Sequence, residues 1–152
     1  MNSNYRTNFQ PIQVSDMLFR YSFTSHKGGG IDGQARDFGW GVQNPLIPVF
    51  MKGKQEGSLP QSTSFCSIDA SNVILVNMKI AEDSDGIIFR LMETEGKETT
   101  ATITLPFVDI SEAYLTNLVE ENETLLSSQR HTITVPLKAF SISALRVKYC
   151  SP

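Results

Sequence analysis

The sequence predicts a mostly β fold: an antiparallel β-sandwich preceded by a short N-terminal strand-helix-strand segment. Three observations carry this expectation. From residue 63 onward, short runs alternating apolar with polar residues recur, with turn residues between them, the pattern of a sandwich. Leu, Ile, Val and Phe make up about 28% of the 152 residues, enough for a real core without staples at this length. The charge is also stepped: residues 1–56 carry six basic and four acidic groups, and residues 57–152 carry seven and twelve. With the turn-rich stretch 52–60, that step sets a boundary near residue 57. The expected division is a poorly ordered leader over 1–16, a segment over 17–56, and a C-terminal β-sandwich over 57–152; the length fits either one whole domain or one domain plus the tail of another.

Each element has its own local reason. Phe19, Tyr21 and Phe23 alternate with Arg20, Ser22 and Thr24, the period of a half-buried strand. His26-Lys27-Gly28-Gly29-Gly30 breaks that pattern. Residues 32–42 follow as a short helix with Asp32 as N-cap, weakened by Gly39 and Gly41 and ended by Asn44-Pro45. Residues 46–51 read as a buried strand. In the second part, 63–68 is a first strand, and Asp69-Ala70-Ser71-Asn72 turns into a strand over 73–80 with Ile74, Val76, Met78 and Ile80 on one face. Glu82-Asp83-Ser84-Asp85-Gly86 leads into 87–93, and Glu95-Gly96-Lys97 is the next hairpin tip. Ala101, Ile103, Leu105 and Phe107 then alternate with Thr100, Thr102, Thr104 and Pro106. Residues 111–119 are mixed, either strand or short helix at 113–118, and strands at 132–135 and 141–149 close the chain.

Composition excludes several function classes. A net charge of −3 and a pI near 5.3 give no electrostatic footprint for nucleic acid or an anionic membrane. No apolar run approaches the ~18 residues of a membrane span, and the first ten residues hold no apolar leader region. Cys66 and Cys150 are too few for a disulfide framework and read as two buried or half-buried thiols. A reducing, cytoplasmic compartment is the expected location.

Candidate chemistry is sparse. Gly28-Gly29-Gly30-Ile31-Asp32-Gly33 fits G-x-G-x-x-G, yet the strand before it is polar on one face and the helix after it is short, so it reads as a surface loop. His26 and His131 are far apart with no ligand-spaced Cys or carboxylate, which leaves no metal site in the sequence. Asp83-Ser84-Asp85-Gly86 lacks the later ligands of a calcium loop and reads as a hairpin turn with solvated carboxylates. Glu120-Glu121-Asn122-Glu123 reads as a solvated turn rather than as an acid–base pair. Trp40, beside Phe38 in the short helix, is expected to pack. No nucleophile elbow and no Cys/His pair can be assembled.

Several phrases nevertheless carry a family resemblance. Phe19-Arg20-Tyr21-Ser22-Phe23 followed by Ser25-His26 resembles a strand in the C-terminal β region of glycoside hydrolase family 38 α-mannosidases. Asn44-Pro45-Leu46 is similar to a following segment there. The most specific stretch runs from Val73-Ile74-Leu75 through Met78-Lys79 and Ala81-Glu82-Asp83 to Asp85-Gly86, then Ile87-Ile88-Phe89-Arg90-Leu91-Met92-Glu93. Met92 stands where an aromatic is usual, and Asn77 where a small residue is usual. Asn117-Leu118-Val119-Glu120-Glu121 and Ala139-Phe140-Ser141-Ile142 with Leu145-Arg146-Val147 resemble the closing phrases.

The resemblance implies a noncatalytic C-terminal β-sandwich region of a retaining α-mannosidase, in which the strand-helix-strand segment over 17–56 belongs to a preceding, truncated β domain as the tail of the large β domain, and 57–152 is the C-terminal β-sandwich. In that family a (β/α) barrel supplies the aspartate nucleophile, the acid/base carboxylate and a zinc ion, so no catalytic or metal residue is expected here and the zinc belongs to the catalytic domain. The expected partners are the catalytic and middle domains of the parent enzyme, with mannosides and a dimer through an exposed domain face also in view. His26, Arg36 and Trp40 around the glycine-rich loop are the candidates for reaching toward substrate. A self-standing carbohydrate-binding or adhesion-type β-sandwich is the alternative.

Overall fold

The computed structural model describes residues 16–28, 34–54 and 56–150. Among these, helix α1 (Gln34–Gln43) precedes strands β1 (Ser67–Ile68), β2 (Val73–Ile80), β3 (Ile87–Glu93), β4 (Thr99–Thr104), β5 (Ile110–Thr116), β6 (Asn122–Leu125), β7 (Ser128–Gln129), β8 (Thr132–Leu137) and β9 (Ile142–Tyr149). They form a four-stranded sheet, β1-β4-β8-β7, and a five-stranded sheet, β2-β3-β9-β5-β6, antiparallel throughout. The fold is mostly β, as the alternating runs predict. None of the described helices is long and apolar enough to cross a membrane.

The core lies between the sheets because period-2 alternation sends one set of side chains inward from each. β4 and β8 contribute Ala101, Ile103, Ile133, Val135 and Leu137, with Ala101 opposite Val135 and Ile103 opposite Ile133. From the other sheet come Phe89 and Leu91 on β3, Leu145 and Val147 on β9 and Ala113 on β5. Phe89 and Leu145 are direct cross-strand partners. Each of the larger side chains, once fully buried, contributes roughly 1.5–3 kcal/mol of transfer free energy. On the outer face of β3 and β9, Ile88 and Arg146 are cross-strand partners and also buried, so loops must cover that part of the sheet.

Glu93 is the exception inside. It has no exposed surface and survives because its carboxylate is saturated with donors. The Nδ2 of Asn72 donates to it at 2.8 Å, as do the backbone N–H groups of Glu95 and Gly96, each at 2.8 Å, and of Phe140 at 2.9 Å. One carboxylate thus joins the β1–β2, β3–β4 and β8–β9 turns. Burial pushes its pKa up, but the donors at Phe140, Glu95, Asn72 and Gly96 together outweigh burial and hold it down to about 2.

β2 and β3 occupy the ranges read from their sequence pattern. The face assigned to β2 differs. A β-bulge between Leu75 and Asn77 inserts one residue and switches the alternation. Leu75 pairs with Leu91, and beyond the bulge Met78 pairs with core residue Phe89 and Ile80 with Ile87. Ile74, opposite Met92, therefore lies on the other face from Met78 and Ile80. The first strand shrinks from 63–68 to Ser67–Ile68, and β4 stops at Thr104, before Pro106, leaving Phe107 exposed. Residues 110–116 resolve as strand, and β6 and β7 are strands that the acidic run and its sequel did not announce.

The N-terminal part departs most from expectation. The helix spans Gln34–Gln43, and Asn44 closes it, its backbone N–H and Nδ2 both donating to the Trp40 carbonyl; Asp32, the expected cap, lies outside the described residues. Neither flanking strand exists. Residues 16–26 and 44–52 belong to no sheet, and Phe19, Tyr21, Phe23 and the apolar residues of 46–51 are exposed. Alternation supplies a strand-forming face but not a neighbouring strand to bond with, and none of the sheet edges in the sandwich receives these segments. The leader of 1–16 lies outside the described residues, apart from exposed Asp16. Cys66 is half-buried as expected, while Cys150 is exposed.

Candidate functional site

Two of the residues singled out for substrate contact lie on α1, and the third precedes the glycine-rich loop. Arg36 and Trp40 stand four apart on α1, one helical turn, and so share a face. Arg36 is committed to the sandwich: its Nη1 donates to Thr94 Oγ1 at 2.6 Å, while Nε and Nη2 hold the Asp37 carboxylate at 2.8 and 2.7 Å. Thr94 in turn bonds the Asn72 carbonyl through both its N–H and its hydroxyl. Arg36 is thus a latch between helix and sandwich. Trp40 is exposed beside half-buried Phe38, and His26 is half-buried before the glycine-rich loop, most of which lies outside the described residues.

The densest polar constellation lies elsewhere, on the outer face of the five-stranded sheet. Arg146 projects from the central strand β9 and is almost fully buried. Two loops fold over it. The β2–β3 turn brings Asp83, whose carboxylate oxygens both accept from Nη1 at 2.8 Å, and the Asp85 carbonyl, also at 2.8 Å. The β5–β6 loop brings the Glu120 carbonyl, which accepts from Nη2 at 2.9 Å. Glu120 binds the two loops to each other: Oε2 accepts from the Glu82 N–H at 2.8 Å and Oε1 from Lys79 Nζ at 2.7 Å. Lys79 also pairs with Glu82, and Lys148 holds Asp85 at 2.6 Å. Glu120 adopts φ 69° and Ser84 φ 63°, left-handed conformations that persist because the surrounding bonds over-determine them.

The electrostatics decide what this cluster can do. Arg146 beside Asp83, reinforced by the Asp85 N–H, holds the Asp83 carboxyl below its usual range. Lys79 and the Glu82 N–H do the same to Glu120. Glu120 and Glu82 raise Lys79, and Asp85 raises Lys148. A general acid or base near neutral pH needs a pKa near 7, and these groups move away from it. The cavity beside them, of about 340 Å³, is lined by Asp83, Asp85, Glu120, Glu121 and Arg146 among others. Three of its carboxylates are paired, Asp83 with Arg146, Glu120 with Lys79 and Asp85 with Lys148, which makes the cluster a clamp on two loops. Among the described residues no group of three or more His, Cys, Asp or Glu side chains could hold a metal ion.

This clamp adds to one reading of the sequence and corrects another. Asp83 lies in the exposed hairpin turn read from the sequence and is in addition the partner of Arg146. The acidic run is not a solvated turn: Glu120 is buried, and Asn122–Leu125 is edge strand β6. One signal pointed there. Arg146 stands between Leu145 and Val147 in the apolar run Ala144-Leu145-Arg146-Val147, and a buried guanidinium requires partners.

Comparison with known families gives one match: residues 72–145 fit the model of the glycosyl hydrolases family 38 C-terminal beta sandwich domain. The matched span begins at Asn72, a Glu93 donor, and ends one residue before Arg146. No curated protein matches the chain.

Proposed function

We propose that this chain, whose residues 72–145 match the model of the glycosyl hydrolases family 38 C-terminal beta sandwich domain, serves as the noncatalytic buttress of a retaining, zinc-dependent α-mannosidase whose catalytic barrel is carried elsewhere. The family match is the observation that carries this reading. The clamp around Arg146 supports it, because carboxylates drawn below their usual range suit a rigid docking block rather than acid–base work. In such an enzyme two carboxylates of the barrel would perform the retaining displacement, and zinc there would supply Lewis-acid polarisation and template the substrate.

The exposed apolar segments support a buttress as well. Leu46, Ile47, Val49 and Phe50 are all exposed, and burying apolar surface yields roughly 25 cal/mol per Å². The catalytic and middle domains of the parent are the partners that would cover them. Mannosides are then the substrates of the assembly and the cytoplasm its location, with neither nucleic acid nor membrane as partner. The test is an assay of the purified chain on an aryl α-mannoside, with and without added zinc, alongside titration calorimetry with mannose oligosaccharides. A buttress gives neither turnover nor heat of binding. Turnover that survives repurification overturns the noncatalytic reading, and saturable binding favours a self-standing carbohydrate-binding sandwich.

A further inference from the structure

Two features of the molecule are each half of a β-sheet contact. The first is β2, an edge of the five-stranded sheet, hydrogen-bonded on one side only, to β3. Past its bulge, residues 77–80 regain regular register with β3, so the opposite row of backbone groups is regular there too. On the core-facing side of that run, Met78 and Ile80 remain 55% and 69% exposed. The reason is topological: the edge of the facing sheet is β1, only two residues long, and it does not extend over them.

The second feature is the segment 19–23. Its residues alternate in period 2, it contains no proline, and it takes no place in either sheet. Phe19, Tyr21 and Phe23 are 63%, 75% and 88% exposed. The two halves also differ in charge, since residues 1–56 sum to +2 and residues 57–152 to −5. Exposed Glu82 stands just beyond the end of β2, and Arg20 lies on the polar face of the segment.

We propose that residues 19–23 of one copy of this chain add as a strand to the β2 edge of a second copy. Strand addition satisfies backbone groups on both partners, and side chains on one face set its register. Phe19, Tyr21 and Phe23 then extend the core-facing surface over Met78 and Ile80, while Arg20 and Ser22 face water on the Lys79 side. The contact is heterologous, a segment on one surface and an edge on another, and exchanging both segments closes it into a two-fold dimer. It concerns the chain itself and is independent of any mannosidase assembly.

The experiment is light scattering coupled to size exclusion, with sedimentation velocity across a concentration series, on the full chain and two variants. Met78→Lys puts a charge on an already exposed edge position, and Ser22→Pro removes a backbone donor from the segment. Each variant alone is expected to weaken association by at least about tenfold, since edge charges and prolines block strand pairing. Mixed together, the two variants are expected to regain a heterodimer, because the Lys variant still donates a sound segment and the Pro variant still offers a sound edge. A parent chain that stays monomeric throughout the series overturns the proposal. So does a dimer that survives both substitutions, or variants that dissociate but fail to complement one another. Circular dichroism of each variant excludes unfolding as the cause of dissociation, and none of these outcomes depends on the mannoside assay.

Discussion

Glu93 holds three turns with one carboxylate, which makes it the residue where a single atom change has most effect. Glu93→Gln keeps the shape but sets an amide NH₂ against backbone donors, leaving at least one of them without an acceptor. The expected loss is about 2 kcal/mol in urea unfolding, the cost of an unsatisfied buried donor. The pH dependence follows in sign. The native carboxyl, held at about 2 against an ordinary 4.5, stabilises the fold fully above the ordinary value. That contribution is lost as pH falls from about 4.5 through about 2. The Gln variant should therefore show a shallower acid dependence of unfolding free energy over that window than the parent. The position was only partly legible in the sequence: a Glu ending an apolar strand before Glu95-Gly96-Lys97 announces a turn, but Phe140 and Asn72 are too distant in sequence to be seen. The same distance hid the clamp, whose members Asp83, Glu120 and Arg146 belong to three separate stretches.

At the scale of elements, β2 and β3 show what local pattern decides and what it leaves open. Their ranges follow from turn residues and alternation. The bulge at residue 76 does not, because an inserted residue is visible only against the partner strand. The missing N-terminal strands teach the same lesson from the other side: Phe19, Tyr21 and Phe23 alternate as well as any strand of the sandwich, but backbone pairing needs a neighbour.

Two hairpin glycines give a test of how rigid these elements are. A Cβ on Gly86, at φ 103°, would lie 2.5 Å from the Val147 carbonyl oxygen, in the backbone of the central strand. A Cβ on Gly96, at φ 74°, would lie 2.5 Å from the Phe140 ring, which is exposed and can swing aside. Both substitutions carry the left-handed penalty, but only the first also displaces backbone. Gly86→Ala is expected to cost about 2 kcal/mol or more and Gly96→Ala about 1 kcal/mol, measured by chemical denaturation.

For the whole molecule, the arrangement of strands was legible only as a class. A succession of short alternating runs indicates a sandwich, yet nothing local says that β9 lies between β3 and β5. The position of β9 also governs how the protein can be made. Synthesis proceeds from the N-terminus, so β2–β3 and β5–β6 leave the ribosome as separate hairpins with no common neighbour. They become one sheet only when β9 emerges, pairing Ile87 with Val147 on one side and Ala113 with Val147 on the other. Contacts so distant in sequence form slowly, and until then both hairpins expose unpaired edges to other chains. Nascent chains stalled before residue 142 should be digested readily by added protease, and resistance should arise abruptly once residue 149 clears the exit tunnel. A strand that follows its sheet partners in sequence yet lies between them thus holds back completion of the sheet until it has itself been made.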